Sequence, residues 1–91
     1  MRIRWTPAAA ADLEQIKHYL TEHMPELAES TVLRLYASIR SLKAMPKRGR
    51  TGRAIGTREL VLTPLPYIVV YRIKGDAVEI LHLHHGAQDW R

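Results

Sequence analysis

Tyr67-Ile68-Val69-Val70-Tyr71-Arg72-Ile73, then Lys74-Gly75-Asp76, then Ala77-Val78-Glu79-Ile80-Leu81-His82-Leu83-His84-His85: two runs rich in β-branched and aromatic residues flank a glycine-containing break. This pattern predicts a β-hairpin, closed by Gly86-Ala87-Gln88-Asp89-Trp90. Alternation puts Tyr67, Val69, Tyr71 and Ile73 on one face of the first strand and Ile68 and Val70 on the other. On the second strand it sets Val78 and Ile80 against Leu81 and Leu83. Both faces are then apolar, and a helical layer covers only one of them. The other is left for a partner chain or for the loop of residues 47–56.

Upstream, Arg2-Ile3-Arg4-Trp5 alternates as a short strand with Ile3 and Trp5 on one face. Thr6-Pro7 opens a helix, because a threonine oxygen caps the first free N–H groups and proline fits the first helical position. Ala9, Leu13, Ile16 and Leu20 line one face of that helix to about Leu20 or Thr21. Met24-Pro25 breaks it and starts a second helix reaching about Ala44, with a stripe of Ala28, Val32, Leu35, Ile39 and Leu42. The short connection predicts an antiparallel helical hairpin. Pro46-Lys47-Arg48-Gly49-Arg50-Thr51-Gly52-Arg53 reads as a basic loop, Thr57–Leu62 as a strand and Thr63-Pro64-Leu65-Pro66 as a rigid turn. The expected fold is α+β: an N-terminal strand and a helical hairpin packed on a mainly antiparallel four-stranded sheet, in a single domain of residues 1–91.

The net charge of +5 is localised. Residues 1–46 carry six Lys/Arg against five Asp/Glu, residues 47–72 six against one, and residues 73–91 two against three. A concentrated positive field attracts nucleic acid or an acidic protein surface. The chain has no cysteine, which excludes disulfides, thiolate nucleophiles and Cys-ligated zinc. With no long apolar run and no signal-peptide pattern, the expected location is the cytoplasm, without a membrane partner.

Few reaction chemistries fit the residues. Ser30, Ser38 and Ser41 all lie in the second helix, outside any Gly-x-Ser-x-Gly turn, and the glycines form no phosphate loop. His82 and His84 alternate onto one face, but two histidines without a third ligand do not make a metal centre, so neither metal nor cofactor is expected. What remains is acid–base chemistry by histidine with arginine on phosphate, as in RNA cleavage.

From Arg58 to Trp90, with Tyr67-x-x-x-Tyr71-Arg72, the turn, Val78-Glu79-Ile80-Leu81 and His85-Gly86-Ala87-x-Asp89, the chain resembles the RelE/ParE family of type II toxin-antitoxin toxins. The first strand and the Ala-rich, acidic first helix are similar to that family as well. The resemblance implies a toxin bound by a cognate antitoxin in a hetero-oligomer, and two kinds of target. RNA-cleaving members place an arginine directly after the first tyrosine of the Tyr-x-x-x-Tyr strand, and some place two lysines on the preceding strand. Here those positions are Ile68, Glu59 and Val61. The ending, Gly86-Ala87-Gln88-Asp89-Trp90-Arg91, also lacks the basic residue and tyrosine, or the His-Tyr pair, of RNA cleavers.

The gyrase-directed ParE branch favours an aliphatic residue at the Ile68 position and Tyr71-Arg72 at the strand end, although an arginine is more usual where this chain has His82. The resemblance therefore implies a DNA gyrase inhibitor without catalytic residues, and the localised charge makes Lys47, Arg48, Arg50, Arg53 and Arg58, with Trp90 at the C-terminal end, the expected target-binding residues. The alternative is a ribosome-dependent mRNA endoribonuclease using His85 or His84 as acid or base and Arg58 or Arg72 to stabilise charge.

Overall fold

The structure, a computed structural model, describes residues 1–86. The hairpin forms as β4 (Tyr67–Lys74) and β5 (Ala77–His85), the longest strands of a five-stranded sheet. Numbered along the chain, β1 is Arg2–Trp5, β2 Arg50–Thr51 and β3 Arg58–Val61, and the spatial order is β1-β5-β4-β3-β2. β1 runs parallel to β5, and the other pairings are antiparallel. This is the expected α+β layering with one strand more. The extra strand, β2, is two residues of the segment expected to be all loop.

Helix α1 (Pro7–His23) starts where expected and runs about three residues further. The Thr6 hydroxyl accepts from the Ala9 N–H at 3.2 Å and donates to the Ile80 carbonyl at 2.7 Å, so one side chain caps the helix and staples its start to β5. Helix α2 (Pro25–Arg40) stops four residues short of Ala44 and tightens into a single 3-10 turn, Ser41–Lys43, which still buries Leu42. Met24, out of the helical region at φ −143° and ψ 58°, separates the two helices. The expected stripes meet the sheet: Ala9, Leu13, Leu35, Ile39 and Leu42 pack with Tyr67, Val69, Tyr71, Val78 and Ile80. Ala28 and Val32 are only half-buried, and Thr31 takes a buried position on α2.

One irregularity changes which side chains the sheet buries. Val70 pairs with His82 but Tyr71 pairs with Ile80, so Leu81 is the extra residue of a β-bulge. The bulge resets the alternation, and Leu83 joins Val78 and Ile80 in the core instead of opposing them. The face away from the helices is also less apolar than alternation suggested. It carries two nearly buried carboxylates: Glu79, pairing with Arg72 at 2.6 Å and Arg4 at 3.0 Å, and Glu59, pairing with Arg50 at 2.9 Å. Among the described residues of this face, a strip around Val61 and Ile68 is left as exposed or half-buried hydrocarbon.

Candidate functional site

The basic segment forms the β2 edge of the sheet, and its shape follows from three internal anchors. Tyr71, fully buried, donates its hydroxyl to the Pro46 carbonyl at 2.7 Å and accepts the Gly49 N–H at 2.8 Å. Arg58 donates to the carbonyls of Gly49 at 2.8 Å and Lys47 at 3.3 Å. Glu59 accepts two hydrogen bonds from Arg50 and one from the Arg53 N–H. The five cations expected to bind a target are thus brought together but divide by role. Lys47, Arg48 and Arg53 are exposed, with Arg48 also donating to the Ser41 hydroxyl at 2.6 Å; Arg50 is engaged by Glu59; Arg58 is half-buried and holds the loop. Trp90 lies outside the described residues.

The alternative catalytic set is not assembled. Arg58 pairs with Tyr71 and His85 with Tyr67, on the core-facing side, while Arg72 and His84 belong to the opposite face, where His84 pairs with Ile68. Along either face, arginine and histidine stand four residue levels apart, about 13 Å at the rise of a strand. Arg72 is moreover bonded to Glu79. Without an arginine beside it, neither histidine has a neighbour of that set to bind a scissile phosphate.

The histidines instead border an open cleft of about 600 Å³ between α1 and the end of β5, lined by Asp12, Ile16, Tyr19, Tyr67, His82 and His85 among others. Asp12, a residue that sequence reasoning missed, accepts the Leu83 N–H at 3.0 Å and lies 3.2 Å from His82 Nδ1. It occupies the edge of β5 beyond the end of β1, where a backbone donor would otherwise go unmet. An aspartate one turn into an amphipathic helix carries no sequence signal for that task. Burial pushes the Tyr67 phenol above its ordinary 10.0, and the charge of a Tyr19 phenolate adds to the rise, so at neutral pH Tyr67 is a neutral donor. Among the described residues, no group of three or more metal-binding side chains is gathered, and no helix is long and apolar enough to cross a membrane.

The two acids of the open face should set the acid limit of stability. Burial pushes Glu59 up, but the Arg50 hydrogen bonds, the Arg53 N–H and both guanidinium charges override it and hold the carboxyl below the ordinary 4.5. The Arg72 hydrogen bond lowers Glu79 against the opposing effect of burial, helped by the charges of Arg72, Arg4 and Lys74. In each case the folded chain protonates at lower pH than the unfolded chain. The stabilisation is therefore complete above the ordinary value and is lost as pH falls through it toward the folded value. Thermal unfolding followed by circular dichroism should show a midpoint flat from pH 7 to about 5.5 and falling below about 4.5. Glu59→Gln with Glu79→Gln should flatten that fall.

Against known families, residues 3–90 match the model described as ParE toxin of the type II toxin-antitoxin system, parDE. The protein named "Putative toxin Y4kP" of Sinorhizobium fredii is 44% identical over 89 residues, covering 98% of this chain and 92% of that protein. Toxin RelE2 of Caulobacter vibrioides is 37% identical over 87 residues, covering 96% and 97%. Among solved structures, one described as a chromosomal ParDE toxin-antitoxin system from P. aeruginosa superposes with a TM-score of 0.86 at 30% identity, covering 93% of this chain and 95% of that one. The strand order, the helical hairpin and the match across nearly the whole chain agree, and this chain belongs to the ParE toxin family of type II toxin-antitoxin systems.

Proposed function

We propose that this toxin acts on DNA gyrase without catalysing a reaction of its own, and that a cognate antitoxin holds it inactive. The observation that carries the reading is the composition of the open sheet face. Val61 pairs with Ile68 and Glu59 with Val70, so the positions where an RNA-cleaving relative holds cations form one patch of hydrocarbon and carboxylate. A patch of that kind offers no ligand to a phosphorane. The exposed cations of the basic segment, Lys47, Arg48 and Arg53, lie instead along the β2 edge, suited to a DNA-bound target. The antitoxin reading draws support from the structural neighbour, described as a ParDE system, and from the hydrocarbon strip at Val61 and Ile68, which is available to another chain.

The endoribonuclease alternative draws on His84 and His85 and on the name RelE2 of one relative. Primer extension on translated mRNA separates the two. After induction, growth should stop with no new 5′ ends inside codons. New ends appearing before growth slows would overturn the gyrase reading.

A further inference from the structure

The loop joining β2 to β3, residues 52–57, presents Ile55 to solvent with a relative exposure of 104%. A lone exposed aliphatic is ordinary. What sets this one apart is the construction beneath it. The Gly52 N–H donates to the Thr57 carbonyl at 2.8 Å, closing the loop, and the Thr57 N–H and hydroxyl both donate to the Ala54 carbonyl, at 3.1 and 2.6 Å. The Arg53 N–H is tied to Glu59 at 3.4 Å. Both glycines are required: a Cβ on Gly52 would meet the Thr57 backbone at 3.0 Å, and Gly56 has φ +81°. The loop is therefore braced, and its tip is hydrocarbon.

The surroundings indicate the ligand. Between residues 47 and 59 stand Lys47, Arg48, Arg50, Arg53 and Arg58 against the single acid Glu59; Arg50 engages that acid and Arg58 holds the loop, which leaves Lys47, Arg48 and Arg53 as the exposed cations facing a ligand. That charge complements the phosphates of DNA, where cations fix the backbone while an aliphatic side chain enters between base steps and unstacks them. We propose that Ile55 is a DNA wedge, inserted at a flexible or opened base step while the β2-edge cations grip the flanking phosphates. This deepens the gyrase reading and rests on it in one respect, that gyrase is what presents such a step.

The test uses the full-length toxin with duplexes carrying 2-aminopurine at a flexible TA step or beside a nick. Wild-type protein should raise the fluorescence by unstacking the base. Ile55→Ser should abolish that rise while DNA affinity stays within about threefold, because the packing of an inserted side chain against the bases is offset by the cost of unstacking them. Arg53→Ala should weaken binding to all sequences and lower the salt slope by about one. Binding without any fluorescence change in the wild type would overturn the wedge. So would an Ile55→Ser variant that keeps the signal, or one that loses binding to DNA-free gyrase subunits, which would assign the side chain to a protein pocket. A rise in fluorescence together with normal supercoiling would sink the gyrase reading and leave the wedge standing.

Discussion

Tyr71→Ala is expected to cost about 3–5 kcal/mol, the range for removing a large buried aromatic side chain. That is a large share of the roughly 5–15 kcal/mol available to a small domain. The ring is fully buried in the core, and its hydroxyl is bonded to Pro46 and Gly49 of the basic loop. Tyr71→Phe separates the two roles. It keeps the ring but leaves one buried N–H and one carbonyl unmet, for a loss of about 1–3 kcal/mol. Denaturant unfolding should give both values. Hydrogen exchange on the phenylalanine variant should show protection lost first at Gly49 and its neighbours in the loop, ahead of the β4–β5 amides. A Tyr71→Phe protein as stable as wild type, with the Gly49 amide still protected, would mean that the loop is held by something else.

The second large effect concerns activity. Replacing Lys47, Arg48 and Arg53 together by alanine should leave the chain folded at a cost of about 1–2 kcal/mol, since all three are exposed and only the Arg48–Ser41 hydrogen bond and the Arg53 charge beside Glu59 are lost. If each contributes up to about 1 kcal/mol of contact with the target, inhibition of gyrase should weaken by as much as roughly 100-fold. Arg50 and Arg58 do not belong in that triple variant. Arg50 engages Glu59 and Arg58 supports the loop carbonyls, so their loss would mix folding with binding. Measuring inhibition of supercoiling beside thermal stability tells the cases apart: a triple variant that inhibits as well as wild type would remove the edge from the binding surface.

How far the sequence could be read depended on whether a residue's role is local. The hairpin, the Thr6-Pro7 helix start and the Met24-Pro25 break were legible because each follows from the conformational preferences of adjacent residues. The bulge at Leu81 was not. Strict alternation is the assumption that a bulge breaks, and only the partner strand reveals the extra residue. β2 was hidden for a similar reason. Two residues between glycines have no pattern of their own, and their pairing is supported by Glu59 from β3 and by Tyr71 from β4.

The site divides in the same way. That Lys47, Arg48, Arg50, Arg53 and Arg58 form a basic cluster was visible from spacing, but which of them are spent on holding the loop was not. The histidines were visible as a cluster, yet their distance along the strands from Arg58 and Arg72 required the register. Asp12 was missed because the group it serves, the Leu83 N–H, is contributed 71 residues later in the chain.

The most direct measurement is the action of the purified toxin on purified gyrase and plasmid DNA. Supercoiling should fall with toxin concentration, cleaved gyrase–DNA complexes should accumulate, and translated mRNA in a parallel reaction should stay intact. Unchanged supercoiling and no cleaved complexes, with mRNA cut in the parallel reaction, would contradict the gyrase reading.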